Sequence, residues 1–413
     1  MTTILKVFTL HLFIMLHGVH GHIYDVTEYG AEPSNIDNKD AFLAAWRAAC
    51  GSAAGNATLL IPEGTFAVST VEFSGPCKNG RSPLAVVVDG VLHPCAGGCH
   101  RKSGDDDVWI TFSGVSNLLV TGAGTLDGRG GEHGHSNGGG KSKTTTTLEL
   151  DSVANATVRG LRFLNSRGFH LNLHRSSHVA AERLRIEAPA ASRNTDGIHV
   201  GLSSHVTVAD SLVGTGDDCV SIGPGSSGVV VAGVACGPGH GISVGSLGRE
   251  EGEGDVRGLV VRNCTVVGTT NGLRIKTWPG SPPSRAFNIT FRDIVMSNVS
   301  NPIIIDQHYC PHAHCSDIAK VVYIYHKVSH ICDRYRASSQ CRVAVQLLCS
   351  EDRPCSGVRF DRVNLSCGRE RCGSKFSNVE GTKPTLVAAD EAAAFGPEVG
   401  GYLWEVLVLQ RFR

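Results

Sequence analysis

The chain has 413 residues with 38 basic and 38 acidic side chains, so its formal net charge is zero. No global field draws it toward nucleic acid or a charged membrane, and attraction for a charged ligand must come from local groups. Fifty glycines and an aromatic content of 6% point to many short strands and tight turns, in one large domain or two ordinary ones.

At the N-terminus, MTTILKVFTLHLFIMLHGVHG sets Lys6 ahead of an apolar run from Val7 to Leu16. That run is short for a bilayer span and has the layout of a secretory signal peptide, residues 1–21, cleaved near Gly21. No later stretch is apolar enough for a membrane helix. DNKDAFLAAWRAACG, from Asp37 to Gly51, reads as a short amphipathic helix with a glycine stop. GRGGEHGHSNGGGKSKTTTT, from Gly128 to Thr147, is low in complexity and is expected to form a loop. Its His133 and His135 lack the fixed scaffold that a metal site needs.

A theme then recurs. NATVRGLRF, HVAAERLRI, HVTVADSLV, GVVVAGVAC, GLVVRNCTV and NITFRDIVM begin at Asn155, His178, His205, Gly228, Gly258 and Asn288. Successive starts lie roughly 23 to 30 residues apart, within the range of solenoid repeats. Each unit joins short β-branched runs to turns rich in Gly, Asn and Asp, without a helical period. The regular leucine-and-asparagine pattern of leucine-rich repeats is missing. The pattern fits an all-β fold, a single-stranded right-handed parallel β-helix with one unit per coil and apolar side chains inward. The helix at 37–51 would close its N-terminal end against edge pairing. The β-helix is expected over residues 22–383. Residues 384–413, Ala-rich and then LWEVLVLQ, carry no coil pattern.

Fifteen cysteines and six N-x-S/T sequons, at Asn56, Asn155, Asn263, Asn288, Asn298 and Asn364, agree with export and glycosylation. Zinc sites also use close cysteine pairs, but the spacings here vary and no C-x-x-C occurs, so disulfides are expected. The close pairs are Cys95/Cys99, Cys310/Cys315, Cys332/Cys341, Cys349/Cys355 and Cys367/Cys372, with Cys50/Cys77 and Cys219/Cys236 as further candidates. Cys264, inside a strand-like run, is the expected odd thiol.

Four motifs follow on successive coils: Asn194-Thr195-Asp196-Gly197, Gly216-Asp217-Asp218-Cys219, Gly239-His240-Gly241 and Arg274-Ile275-Lys276. Coils stack about 4.8 Å apart, so equivalent positions become neighbours in space. Side chains of adjacent strand residues diverge, but a bend at the start of a strand can re-aim one of them. Asp217 and Asp218 could then share one groove with Asp196 from the coil below. Three crowded carboxylates cannot all ionise cheaply, so one should keep its proton to a raised pH. A proton-holding acid beside an ionised base is what glycoside hydrolysis requires. Alternation puts Arg274 and Lys276 on one outer face and Ile275 in the core, and the two cations suit a carboxylate-bearing sugar.

SRNTDG, TGDDCVSIG, CGPGHGISVGSLG and NGLRIKTW resemble the motifs of plant polygalacturonases, glycoside hydrolase family 28. YGA, IPEGTF and GTLDGRG upstream, and NPIIIDQHYC downstream, extend the resemblance over roughly residues 22 to 372. GLRIKTWPGSPP and NPIIIDQHYC are closest to the exo-acting, pollen-type branch. The resemblance implies Asp217 as general acid, with Asp196 and Asp218 activating water so that the anomeric carbon inverts. It implies His240 beside the acid, Arg274, Lys276 and Tyr309 on the sugar, and Asn194, Gly245 and Ser246 lining the groove. The expected enzyme is a monomeric, cofactor-free and metal-free hydrolase of pectic polygalacturonate in the extracellular cell wall.

Some features depart from the pattern. The loop after GTLDGRG lacks a tryptophan segment, Arg249-Glu250 replaces the usual Arg-Tyr, and EEGEGD sets Glu250, Glu251, Glu253 and Asp255 near the groove. Two rival readings are a calcium-dependent pectate lyase on a similar fold and a wall-binding glycoprotein whose site has decayed.

Overall fold

In a computed structural model, the described residues are 21–53, 56–95, 108–130, 145–280, 284–311, 323–333, 343–365 and 372–381. They wind into a right-handed parallel β-helix. One face is an eleven-stranded sheet whose strands stack in chain order. These strands are β1 (Val71–Ser74), β2 (Val108–Ser113), β3 (Thr146–Asp151), β4 (Leu171–His174), β5 (Ile198–Gly201) and β6 (Val220–Ile222). They continue through β7 (Ile242–Leu247), β8 (Asn271–Thr277), β9 (Asn301–Asp306), β10 (Val343–Leu348) and β11 (Gly373–Ser377). A twenty-stranded sheet forms the remaining wall.

The coil form follows from the alternation. Leu148, Leu171, Ile198, Val220, Ile242, Leu273, Ile303 and Val345 pair in register from β3 to β10. Each is buried, making one aliphatic column inside the ribbon. Burying such a side chain contributes about 1.5–3 kcal/mol before the entropy of ordering is subtracted.

The bends are equally regular. The six unit starts found in the sequence fall in one column, where Asn155, His178, His205, Gly228, Gly258 and Asn288 all have φ between 53° and 66°. Left-handed backbone is costly for most residues and is visited chiefly by Gly, Asn and Asp. The column also stacks: the His178 and His205 rings lie 4.6 Å apart and within 3° of parallel. Thus the turn chemistry, as much as the apolar alternation, marks the coils.

Helix α1 (Lys39–Gly51) caps the N-terminal end. Asp37, expected as its first residue, stays outside and accepts from the Lys39 and Ser69 amides. Trp46 packs on Phe73 and Phe112 at 5.2 and 5.5 Å, its indole N–H donates to the Ser74 carbonyl, and Cys50–Cys77 ties the helix end to the coil. Apolar groups thus seal the first coil, where an open edge would otherwise invite pairing.

Cys219–Cys236 and Cys349–Cys355 also form as expected, and Cys264 is free and buried. The other four expected pairs each include a cysteine outside the described residues or one whose side chain is not described. The expected loop over 128–147 ends earlier than its composition suggests: Thr146 and Thr147 are buried and open β3. Their β-branched side chains fit a pleated sheet better than a glycine-rich loop. Residues 1–20 and 382–413, and with them nearly all of the signal segment and the whole tail, lie outside the described residues.

Candidate active site

The site forms where three bends deliver charged residues to the front sheet. Asp196 precedes β5, Asp217 and Asp218 precede β6, and His240 precedes β7. Residues 216–219 are bend and coil, and the strand begins only at Val220, so alternation does not govern the adjacent aspartates. Thr195 joins the first two bends, because its hydroxyl accepts from the Gly216 amide and bonds back to Ser192. The Cys219–Cys236 bridge joins the second bend to the short strand that leads into the third. Gly239, at φ 141°, lets the third bend lie against the Asp217 carbonyl, where a Cβ would collide.

Asp218 is wholly buried. Its Oδ1 accepts from Ser243 Oγ and Arg274 Nη2, each at 2.7 Å, and its Oδ2 accepts from Lys276 Nζ at 2.8 Å. Arg274 and Lys276 project from β8 to Asp218 on the outer face, while Ile275 between them is buried in the core. A buried carboxylate is tolerable because paired cations and hydrogen bonds offset its desolvation.

Asp217 is half-buried. Its Oδ1 accepts from the Asp218 amide at 2.9 Å and lies 2.9 Å from His240 Nδ1. Burial pushes its carboxyl up, but the bond and charge of His240, with Lys276 and Arg274, outweigh burial and hold it below the usual range.

Asp196 differs. It is buried, its Oδ2 accepts from Ser221 Oγ at 2.6 Å, and no cation bonds it among the described residues. Burial, then the charges of Asp218 and Asp217, raise its carboxyl well above the ordinary value, against the opposing pull of Ser221 and Lys276. One carboxyl of the cluster is therefore displaced upward, as crowding requires. It is Asp196, rather than the Asp217 that the resemblance casts as acid.

The remaining expected residues divide. Tyr309 stands over Lys276 Nζ at 5.5 Å and meets Trp278 edge-on at 5.6 Å, so it lines one wall beside the cations. Gly245, at φ 101°, packs against the Lys276 carbonyl where a Cβ would collide. Ser246 and the exposed Asn194 bond to none of the three carboxylates among the described residues, and Asn194 serves as the left-handed turn before Asp196. Ser221, Ser243, His199 and Trp278 were not singled out from sequence. The period of two in VSI and ISV already sends both serines outward, beside Asp196 and Asp218.

The acidic segment is largely occupied with itself. Glu253 accepts from the amides of Gly248, Arg249 and Glu250, and Asp255 pairs with Arg285 at 2.8 Å. Arg249 turns its guanidinium toward the Trp278 ring at 5.7 Å.

Residues 50–387 match the sequence profile described as Glycosyl hydrolases family 28. The chain belongs to that family. Its family 28 relatives include an exopolygalacturonase of Platanus acerifolia, 42% identical over 89% of this chain and 96% of the relative. A polygalacturonase of Nicotiana tabacum is 39% identical over 88% and 89%. Among solved structures, endo-xylogalacturonan hydrolase from Aspergillus tubingensis superposes with a TM-score of 0.69 at 25% identity, over 89% of this chain and 99% of that one. An exopolygalacturonase from Thermotoga maritima, at 18% identity and TM-score 0.63 over 85% and 88%, shares the fold. The parallel β-helix read from the repeats is thus the architecture of the family. Among the described residues, no helix is long and apolar enough to cross a membrane.

Proposed function

We infer that this family 28 chain is a secreted cell-wall polygalacturonase that hydrolyses α-1,4-galacturonosyl linkages, releasing residues from the chain end. One observation carries the reading: three carboxylates and two cations form a single charge cluster on the outer side of the front sheet, with Arg274 and Lys276 beside the acids. Those cations give a uronate carboxylate charge-assisted partners next to the acids that would cut its linkage. The Platanus relative's exo-action supports chain-end release.

In the working cycle Asp217 donates its proton to the glycosidic oxygen as the bond to the anomeric carbon breaks and the electron pair leaves with that oxygen. Asp196 and Asp218 hold a water, Asp196 takes its proton, and the hydroxide oxygen bonds the anomeric carbon from the opposite face. Asp196 then releases that proton to solvent, while His240 passes a proton taken up from solvent to Asp217 and resets it. A bound galacturonate carboxylate also cancels part of the field of Arg274 and Lys276. Since that field helps hold the Asp217 proton off, substrate binding favours its protonation.

A calcium-dependent elimination draws no support from this donor set. Asp217, Asp218 and His240 are the one group with metal-ligand spacing among the described residues. Both Asp218 oxygens already accept from Arg274 and Lys276, whose charges would repel a cation. Product analysis on polygalacturonate tests the reading. Free galacturonate as the sole early product is expected. A ladder of oligomers overturns the exo assignment, unsaturated products overturn hydrolysis, and no product at all favours the decayed site.

A further inference from the structure

Beside the three acids lies a second, neutral arrangement that the roles above leave unused. Ser221 on β6 and Ser243 on β7 are partners in register, each facing the groove and each bonded to one carboxylate. Each serine also meets a nitrogen of a basic side chain, but the two nitrogens differ. Arg274 Nε donates to Ser243 Oγ at 3.0 Å, so the arm on Asp218 begins in a fixed cation. His199 Nδ1 lies 2.8 Å from Ser221 Oγ, so the arm on Asp196 begins in an imidazole.

We infer that His199 and Ser221 act as a hydrogen-bonded positioning arm for Asp196, aiming its carboxylate at the attacking water and favouring the form that accepts the proton. Both are positioning residues, reaching the reaction only through Asp196. The inference rests on Asp196 as the base.

Geometry sets the direction of the arm. When Asp196 is ionised, the Ser221 hydroxyl spends its one proton on Oδ2, leaving its lone pairs for a donor. His199 Nδ1–H is that donor. The ring is held by stacking on Phe169, with centroids 4.6 Å apart and planes within 19°. It is neutral above about pH 4, because burial, then Lys276 and His174, lower its pKa to about 4. A neutral ring suits the task, since it orients the hydroxyl without adding a charge that would make Asp196 a poor base. The His170 Nδ1 lies 2.9 Å from the Asp196 carbonyl and anchors the backbone of the same residue.

The groups that bear on the Asp196 proton are Asp217 and Asp218 from the bend before β6 and Lys276 from β8. Asp218, Lys276 and His174 bear on His199. His240 and Arg274 act on this set through Asp217 and Asp218. All are untouched by changes at positions 199 and 221.

The experiment follows the acidic limb of kcat/KM on a galacturonan oligomer in Ser221→Ala, His199→Phe and His199→Asn, with thermal unfolding as the check of fold. Losing the hydroxyl lets Asp196 keep its proton longer, so the limb of Ser221→Ala should move up by about one pH unit. At the acid end this reads as roughly tenfold lower kcat/KM. His199→Phe keeps the stack but removes the donor and should move the limb the same way by a smaller amount. His199→Asn offers an amide N–H near the Nδ1 position and should return the limb toward that of the unaltered protein. An unmoved limb in Ser221→Ala, or equal limbs in the Phe and Asn variants, overturns the arm. If the unaltered protein cuts no galacturonan, the functional reading fails instead. A 13C-carboxyl titration of Asp196, assigned by its loss in Asp196→Asn, then decides the arm without substrate: an upward shift in Ser221→Ala supports it, and none overturns it.

Discussion

The two kinds of bend in this ribbon could hardly differ more. Along the larger sheet, the column from Asn155 to Asn288 repeats one conformation coil after coil, with residues chosen for left-handed backbone. Before β5, β6 and β7 of the front sheet the bends differ, with left-handed backbone at Asn194 in the first and at Gly237, Gly239 and Gly241 in the third, and they deliver Asp196, the Asp217–Asp218 pair and His240. Repetition on one side stacks the coils, which frees the other side to be irregular and to carry chemistry. Substitutions on the two sides should therefore separate activity from stability.

The largest effect is expected at Asp217. Asp217→Asn keeps an oxygen for the Asp218 amide and should unfold like the parent, yet lose about 10³-fold or more in kcat. Near-parental turnover on polygalacturonate would remove Asp217 as the acid.

Next comes Lys276→Met, which leaves the buried Asp218 with one cation instead of two. Uncompensated buried charge is costly, so a loss of about 3–4 kcal/mol is expected, together with most of the activity. Denaturant melts read the first and reducing-end assays the second. An unchanged melt would mean that Arg274 alone balances Asp218.

The pH response of stability sharpens the comparison, because the site carries buried neutral histidines. His170 is fully buried, its Nε2 accepts from the Ser166 amide, and its pKa falls from 6.5 to about 4 through burial. The unfolded chain binds this proton first as pH falls, so unfolding takes up a proton between pH 6.5 and about 4. Folding stability should then fall with acidification across that window, by up to about 3 kcal/mol from this residue alone. Asp196 works in the opposite sense. Its raised folded pKa contributes stability at low pH that is lost as pH rises through it. Chemical denaturation from pH 7 to pH 4 should show the histidine slope in the parent and a weaker one in His170→Asn. Equal slopes would exclude His170 as the source.

The smallest effect belongs to the repetitive side. Gly228→Ala meets only ordinary contact with His205, so its cost is the left-handed backbone at φ 64°, about 1 kcal/mol. Unfolding midpoints should fall slightly and kcat/KM should not change. A clear loss of activity would show that the two kinds of bend are coupled.

This division also explains what could be read from the sequence. The unit starts at Asn, His and Gly were visible as a repeat, but their shared left-handed backbone was not, because His as well as Asn and Gly fills the column. The acids, His240 and the Arg-Ile-Lys alternation were legible because their motifs are contiguous. The balance of charge was not. Asp218 meets Arg274 and Lys276 across 56 and 58 residues of chain, and the difference between Asp196 and Asp217 arises from which acid those cations and His240 reach. The two serines were hidden for another reason: a serine beside a turn has many ordinary uses, and only the stacking of β6 on β7 reveals their symmetry. The Thr-rich opening of β3 was obscured by the glycine-rich composition before it.

The bridge between Cys219 and Cys236 has an experimental corollary. Both sulfurs belong to residues shielded from solvent, at 0% and 3% exposure, so a dissolved thiol can reach them only when the surrounding turns come apart. The pace at which mild reductant opens this bridge would accordingly clock the breathing of the turns around Asp217 and Asp218, a rate that neither a melting curve nor an assay under ordinary conditions records.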